Sequence, residues 1–265
     1  MGQIDKTTSN YINNLEDKIV ELSLKLKANE QELNELKTQD LELFKNYFHD
    51  LKNSLGNTLS FSNIILDNEE SLLSEKEKKY LSIIQNSSEF SFELIHSFSK
   101  LYKLKKDHKT VEIANVNLID IINEEVELLK ESASKRGISL KFNKPSEEIA
   151  LISNKNSIKS ILNSLIDNAI RFSKNNSKIK IEIINCDGKI EIKVIDNGIG
   201  ISKENLPKIY NEFFVCNTYA VDKTKCIGLE LSISRIIAKK LNAKLRVESE
   251  LDKGTVASLI FVNQE

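Results

Sequence analysis

The 265-residue chain has no tryptophan, and the residues that form turns are scarce, with 8 glycines and 2 prolines. This scarcity excludes a sandwich or propeller built from many short strands, because each turn in such folds draws on these residues. Helix should therefore dominate. The 40% hydrophobic content is sufficient for a packed core and excludes global disorder. The length fits two modest domains, or one domain with a long helical element.

An excess of charge of one sign is also missing. The 38 Lys and Arg residues balance 39 Asp and Glu residues, which argues against a nucleic-acid partner. The three cysteines Cys186, Cys216 and Cys226 lack metal-ligand spacing, and their odd number argues against a disulfide framework. No apolar run approaches the roughly 18 residues of a membrane span. We therefore expect a cytoplasmic protein with no membrane segment in this chain.

Residues 12–47 carry a heptad pattern, in which apolar side chains recur at alternating spacings of three and four residues. This pattern predicts an N-terminal coiled coil over residues 1–40. The polar residues Asn29 and Asp40 would restrict its register. The alternative is a single amphipathic helix that lies on a globular core. The apolar positions are Ile12, Leu15, Ile19, Leu22, Leu26, Leu33, Leu36, Leu43 and Tyr47.

The helical pattern continues to Ile65 and resumes after a short loop. Ser74 and Glu77 have the spacing of a capping box, which predicts the start of a second helix that ends near Leu104. Two long helices joined by a short loop form an antiparallel hairpin. A lone hairpin cannot bury so many apolar side chains. We therefore predict that residues 41–106 form a homodimeric four-helix bundle.

The character of the sequence changes in residues 107–265, where helical and strand patterns mix. Two alternating strands flank Asp187-Gly188, a hairpin turn signal. The pattern predicts an α/β domain with helices on one face of a mixed or antiparallel sheet, so the whole chain is α+β. Helices are predicted near residues 118–135, 155–172 and 228–241, and strands near residues 138–142, 149–152, 178–184, 189–195, 243–249 and 255–262.

His49 is the one histidine with an acid beside it and an amide one turn later. His49 and Asn53 share a helix face, and Phe48, Leu51 and Leu55 should lie on the buried side. A carboxylate at Asp50 could hold one ring N–H and leave the other nitrogen as a nucleophile. An exposed helical histidine is more often simply solvated, so this pattern alone leaves both interpretations open.

Two further motifs fall in the C-terminal part. Asn168-Ala169 lies on a predicted helix, and Asp196-Asn197-Gly198-Ile199-Gly200 follows a predicted strand directly. An acid at a strand end followed by spaced glycines makes a pocket floor where backbone can approach a ligand. A single loop of this kind is usually only a turn. The order and spacing of all three motifs favour a shared function.

Everything after residue 40 resembles the transmitter core of a sensor histidine kinase. Five motifs occur in the order of that family, and Lys253-Gly254-Thr255 lies where the family enters its final strand. The five are His49-Asp50-Leu51-Lys52-Asn53-Ser54 (H box), Asn168-Ala169-Ile170-Arg171-Phe172 (N box), Asp196 to Gly200 (first glycine box), Asn211-Glu212-Phe213-Phe214 (F box) and Gly228-Leu229-Glu230-Leu231-Ser232-Ile233 (second glycine box).

The resemblance implies that the C-terminal domain is a GHKL-type ATP-binding sandwich. Asp196 would accept the adenine amino group, Asn168 would hold Mg²⁺, and Arg171 would contact phosphate. Residues 215–227 would form a mobile lid over ATP. The other nucleotide-site positions that the resemblance supplies are Gly198, Gly200, Phe213, Gly228, Leu229 and Thr255.

The resemblance also implies a reaction. His49 would attack the γ-phosphate of ATP with Asp50 as its base, and Asn53 would position water for the reverse, phosphatase, reaction. The phosphoryl group would pass to an aspartate on the receiver domain of a response regulator, which makes that domain and a second copy of this chain the expected partners.

The second glycine box departs from the family pattern. It reads Cys226-Ile227-Gly228-Leu229-Glu230-Leu231 and keeps a single glycine. Glu230 places an acid at the helix start where phosphates should bind, which predicts weakened ATP binding. Alternatively Glu230 pairs with a lid lysine, Lys223 or Lys225. The degenerate box leaves open a second function, a pseudokinase or phosphotransfer scaffold that binds a receiver domain with weak or no ATP turnover.

Overall fold

The structure is a computed structural model that describes residues 47–67, 73–106, 112–186 and 188–262, together with Lys18 and Lys25. Lys18 and Lys25 are helical and exposed. The rest of the predicted coiled coil lies outside the described residues, so the coiled coil stays a prediction.

Two helices form the N-terminal hairpin: α1 over residues 47–67 and α2 over Glu75–Lys106. The start of α2 confirms the predicted capping box. The backbone N–H of Ser74 donates to the Glu77 carboxylate at 2.8 Å, and the N–H of Glu77 donates to the Ser74 hydroxyl at 3.3 Å. The two bonds satisfy donors that a helix N-terminus otherwise leaves unpaired.

The hairpin leaves much of its apolar surface uncovered. Leu51, predicted on the buried side, is 49% exposed in the single chain. Large apolar side chains are exposed along both helices, which fits the predicted dimer because a second copy could cover them. They include Tyr47, Phe61, Ile64, Ile65, Tyr80, Ile83, Ile84 and Phe92.

The C-terminal domain contains the mixed helices and strands that the sequence predicts, with one additional strand at its start. Its elements are β1 (Ala114–Asn117), α3 (Leu118–Ser134), β2 (Ser139–Asn143), β3 (Ala150–Ser153), α4 (Lys155–Phe172), β4 (Lys178–Cys186), β5 (Lys189–Ile195), a 3₁₀ turn (Leu206–Lys208), α5 (Glu230–Lys240), β6 (Ala243–Glu250) and β7 (Gly254–Val262).

A five-stranded mixed sheet has the order β2-β4-β5-β7-β6. Only β2 and β4 pair in parallel, and the other neighbours pair antiparallel. Ile181 and Ile192 have no exposed surface, whereas the alternate positions Lys180 and Lys193 are charged. One face of the sheet is therefore apolar and carries the helices, as predicted. Strands β1 and β3 form a separate antiparallel pair.

Asparagine side chains cap the N-termini of two helices of this domain. Asn117 accepts from the N–H of Ile119 at 3.0 Å at the start of α3, and Asn154 accepts from the N–H of Ser157 at 2.7 Å at the start of α4. Both helices then bury an apolar stripe on the sheet. No helix within the described part of the chain is long and apolar enough to cross a membrane.

Candidate active site

A cavity of about 530 Å³ opens between α4, the loop after β5, the segment that precedes α5, and α2. Among the residues predicted to bind nucleotide, six line this cavity, and Gly198, Phe213 and Leu229 do not. The six are Asn168, Arg171, Asp196, Gly200, Gly228 and Thr255. The structure thus brings three separated motifs to one site.

Asp196, directly after β5, is 8% exposed. Its Oδ1 atom accepts from the backbone N–H of Gly198 at 2.8 Å and of Thr255 at 3.2 Å. Burial raises the pKa of this carboxyl despite the two bonds, which favour the ionised form. Asp196 is therefore held in one orientation at the cavity wall, with Oδ2 outside both bonds.

Two glycines meet close backbone contacts around the cavity. A Cβ added at Gly198 would lie 2.5 Å from the carbonyl oxygen of Phe172 and 2.8 Å from the Asp196 carboxylate. Gly228 has a positive φ of 77°, and a Cβ there would lie 2.5 Å from the carbonyl oxygen of Phe214. Gly198 therefore packs closely against the backbone of Phe172 on the side of the loop away from the cavity. This position explains why Gly198 does not line the cavity.

Helix α4 contributes an acid that none of the predicted motifs includes. Asp167 lines the cavity beside Asn168. Burial is the main cause that raises the pKa of Asp167, and the nearby Glu230 and Asp222 raise it further, while Arg171 opposes them. Its position next to Asn168 was the available signal. No cluster of three or more metal-ligating His, Cys, Asp or Glu side chains occurs among the described residues.

Arg171 binds the segment that is predicted to form the lid. Its Nε donates to the Thr224 hydroxyl at 3.0 Å, and an Nη atom donates to the carbonyl of Lys225 at 3.3 Å. The carbonyl of Arg171 accepts from the N–H of Val221 at 3.1 Å. Arg171 thus fastens residues 221–225 to the end of α4, a role that the predicted phosphate contact did not include.

Glu230 is the first residue of α5, after an N-cap residue, Leu229, that makes no side-chain capping bond. Leu229 is fully buried in the core, which explains why it does not reach the cavity. The carboxylate of Glu230 lines the cavity and accepts from the Ser97 hydroxyl of α2 at 3.4 Å. The structure shows no Glu230 pair with Lys225, whose ammonium lies 4.3 Å from the ring centre of Phe90.

The F-box phenylalanines point to different places. Phe214 lines the cavity, whereas Phe213 is 50% exposed and adopts a positive φ of 61°. The ring of Phe213 lies 6.2 Å from that of Phe98 on α2, centre to centre. The predicted assignment of Phe213 to the nucleotide site is therefore not matched by its position, because the side chain contacts the hairpin.

The three predicted catalytic residues lie together on α1. The side chain of His49 is 72% exposed, and its Nδ1 atom lies 3.5 Å from the Asp50 carboxylate and 3.2 Å from the Asn53 amide nitrogen. The two neighbours require different protonation states of Nδ1. The Asp50 carboxylate can accept only from a protonated Nδ1, whereas the Asn53 amide N–H can donate only to an unprotonated Nδ1. When Asp50 accepts, Nε2 carries the lone pair.

None of His49, Asp50 and Asn53 lines the cavity. Four residues of α2 line it instead, namely Phe92, Glu93, His96 and Ser97. No sequence pattern predicts these four residues at the cavity, because α2 and α4 are about 70 residues apart in the chain and no motif links them. The histidine and the cavity are thus separate parts of the site in this structure.

Residues 153–265 match the family described as histidine kinase-, DNA gyrase B-, and HSP90-like ATPase. The chain is also 26% identical over 216 residues to the sensor histidine kinase YvrG of Bacillus subtilis, which covers 82% of this chain and 37% of that protein. Residues 153–265 therefore form a domain of this ATPase family, and the chain is related to the sensor histidine kinases. It spans little more than a third of the length of YvrG.

Solved structures agree with the fold. Full-length ShkA in complex with AMPPNP has a TM-score of 0.65 at 17% identity, over 83% of this chain and 45% of that one. The histidine kinase ThkA in complex with the response regulator protein TrrA has a TM-score of 0.59 at 23% identity, over 86% of this chain and 64% of that one. At these identities the likeness concerns the fold alone.

Proposed function

We propose that the protein is a two-component histidine kinase that phosphorylates its own His49 from Mg-ATP and passes the phosphoryl group to a response-regulator aspartate. The observation that carries this proposal is the cavity in which Asp196, Asn168 and Gly228 converge within a domain of the ATPase family. The histidine with its adjacent acid on α1 supplies the acceptor.

Asp196 is the residue that we assign to adenine. Its Oδ1 atom is occupied by two backbone N–H groups, so Oδ2 is the acceptor for the adenine amino group. The phosphates would then extend toward the start of α5, where N–H groups of the first turn lack a side-chain cap. The complex of ShkA with AMPPNP supports a nucleotide at a domain of this fold.

Asn168 fits a magnesium ion that arrives with the nucleotide. Its amide oxygen is a hard donor on the cavity wall, and Mg²⁺ commonly binds through few protein ligands together with substrate phosphates. When bound, the ion would neutralise charge on the β- and γ-phosphates. Arg171 would have to exchange its lid contacts for phosphate to add its own charge.

His49 is the nucleophile in this proposal. Asp50 accepts the Nδ1 proton, so the Nε2 lone pair attacks the γ-phosphorus; the bond from that phosphorus to the bridging oxygen breaks and ADP leaves. The phosphoryl group then moves from Nε2 to an aspartate carboxylate of the receiver domain. Asn53, beside the ring, would position water for the phosphatase reaction.

The remaining parts of the proposal concern organisation and partners. Residues 1–40 would form the coiled coil, 41–106 the homodimeric phosphotransfer hairpin and 107–265 the catalytic domain, in the cytoplasm. The complex between ThkA and the response regulator TrrA supports a receiver domain as partner. The exposed apolar side chains of α1 and α2 support the homodimer.

Incubation with γ-labelled ATP and Mg²⁺ tests the proposal. Wild-type protein should acquire acid-labile label, and His49→Ala protein should acquire none. His108→Ala, which removes a histidine outside the described residues, is the matched control and should label like the wild type. Label of equal amount in His49→Ala would overturn the assignment of the acceptor, and no label in any variant would favour the pseudokinase.

A further inference from the structure

Helix α2 is bound to the C-terminal domain outside the cavity. The ammonium of Lys105 lies 2.6 Å from the Glu212 carboxylate, and that of Lys100 donates to the Ser160 hydroxyl at 2.8 Å. The ring of Phe98 lies beside that of Phe213. These contacts join α2 to α4 and to the F-box segment, so the domain is docked on the hairpin.

The same helix forms one wall of the cavity. Ser97, which is 6% exposed, donates to the Glu230 carboxylate, and Glu93 and His96 line the cavity beside it. Glu230 therefore lies on the cavity wall and also contacts the docked helix α2. A ligand in the cavity and the docked helix would meet at this carboxylate.

The N-terminus of α5 can stabilise one nearby anion more easily than two. The 11-residue helix begins with uncapped N–H groups, which attract negative charge. In the docked structure the Glu230 carboxylate is the anion at this end. A triphosphate that entered would bring further negative charge to the same place, and two anions at short range repel each other.

We propose that Glu230 couples nucleotide binding to release of the C-terminal domain from α2. With the cavity empty of nucleotide, Glu230 and Ser97 help to hold the domain docked. A bound triphosphate repels the carboxylate and weakens the contact with Ser97, so the domain leaves the hairpin. This inference rests on the proposed function, and it assigns a regulatory role to the residue that departs most from the family pattern.

Two consequences follow from the coupling. Because linkage is reciprocal, docking must lower nucleotide affinity by the same factor by which nucleotide weakens docking. Release is also needed for the proposed reaction, because α2 lines the cavity and His49 does not. The docked arrangement is therefore a resting state, and Glu230 makes the nucleotide itself the signal to leave it.

The ion pair between Lys105 and Glu212 offers a direct measure of docking. A carbodiimide joins a carboxylate and an amine in contact with no added spacer, so the docked full-length protein should form a Lys105–Glu212 amide that peptide mass spectrometry can quantify. Saturating AMPPNP with Mg²⁺ should lower this yield about fivefold. Glu230→Gln, which keeps the shape without the charge, should show a much smaller decrease.

Calorimetric titration of the same proteins with AMPPNP measures the reciprocal effect. Lys105→Ala removes a docking contact outside the cavity, and it should raise nucleotide affinity about fivefold. Lys103→Ala is the matched control, since it removes the same charge from the same helix end, and Lys103 has no ion pair to the described residues of the domain. Ser97→Ala, which removes the hydroxyl that contacts Glu230, should also raise affinity.

The outcomes separate this inference from the proposed function. If AMPPNP binds but the cross-link yield stays constant, or if Lys105→Ala binds like Lys103→Ala, the coupling is wrong while the kinase proposal stands. If only the docking variants bind AMPPNP measurably, the coupling holds in a strong form. If neither the wild type nor any variant binds, both the proposed function and the coupling are overturned.

Discussion

The two regions of the molecule differ in how they cover their apolar residues. The C-terminal domain buries Ile158, Ile179 and Ile192 completely. In the hairpin, Phe61 and Tyr80 are 66% and 54% exposed, and Leu101 is the sole α2 residue among the buried members of the described hydrophobic core. The C-terminal domain thus completes its core with a single buried α2 side chain, whereas the hairpin leaves large apolar side chains exposed.

This difference indicates that the two regions have different requirements for a partner. Burial of apolar area is the main favourable term in folding, so a hairpin with so much exposed apolar surface should be stabilised by association. The C-terminal domain has no such need. Its contacts with α2 include an ion pair and a hydrogen bond, and one α2 side chain, Leu101, is buried in the core of the domain. Such a mixed polar and apolar interface suits a docked state that can be reversed.

A charged substitution on the exposed apolar surface of the hairpin should have the largest effect, which is on the oligomeric state. Phe61→Glu places a charge on the exposed apolar face of α1, and burial of an unpaired charge in a dimer interface is strongly unfavourable. We expect light scattering at micromolar concentration to change from a dimer to the mass of one chain, 30.2 kDa.

Ile152→Glu is the control for this substitution. Ile152, on β3 of the C-terminal domain, is 73% exposed, so it matches Phe61 in exposure but lies in the region with a complete core. It should leave the mass at that of a dimer. Equal masses for the two variants would remove the distinction between the regions.

Asp196→Asn should have an intermediate effect. It should weaken nucleotide binding but raise the thermal stability of the nucleotide-free protein. The loss of a charge-assisted hydrogen bond to adenine should weaken AMPPNP binding about tenfold to a hundredfold. The amide oxygen can still accept from the N–H groups of Gly198 and Thr255, so the loop should keep its shape. Calorimetric titration measures the first effect.

The stability effect follows from the direction of the pKa. Burial raises the pKa of Asp196 above 3.8, so its contribution to stability is fully present below that pH and is lost as the pH rises through the folded-state pKa. Without nucleotide, Asp196→Asn should therefore melt at a higher temperature than wild type at pH 7, and the difference should shrink toward pH 3. A lower melting temperature for Asp196→Asn than for the wild type at pH 7 would contradict the assignment.

Ser74→Ala should have the smallest effect. It removes the hydroxyl that caps α2 and should cost about 1 kcal/mol of unfolding free energy. Ser82→Ala, whose hydroxyl only donates back to the Lys79 carbonyl within the helix, should change stability by less than about 0.5 kcal/mol. Urea denaturation at one protein concentration measures both. A Ser74→Ala variant as stable as Ser82→Ala would show that the Ser74 cap does not contribute to the stability of the hairpin.

Local patterns in the sequence predicted most of the elements. The capping box of Ser74 and Glu77 and the alternating strands β4 and β5 were recognised because their signals lie within a few residues of each other. The patterns did not indicate strand β1, because Ala114–Asn117 is only four residues long and has one large apolar residue. The convergence of Asp196, Asn168 and Gly228 could be predicted only through the resemblance to a family.

The contacts between α2 and the C-terminal domain could not be predicted. Ser97 and Glu230 are 133 residues apart, and neither carries a pattern that indicates the other. The same holds for Phe213, which the family motif assigned to the nucleotide and the structure places against Phe98. Such contacts depend on how two folded units meet, and short-range sequence patterns contain no information on that arrangement.

The most direct measurement of the central claim is the position of the phosphoryl group. Wild-type protein incubated with Mg-ATP and digested under neutral conditions, which preserve phosphohistidine, should yield a single phosphorylated peptide, the one that contains His49. Mass spectrometry with fragmentation would assign the modified residue. A phosphoryl group on His96, on His108 or on no histidine would contradict the account.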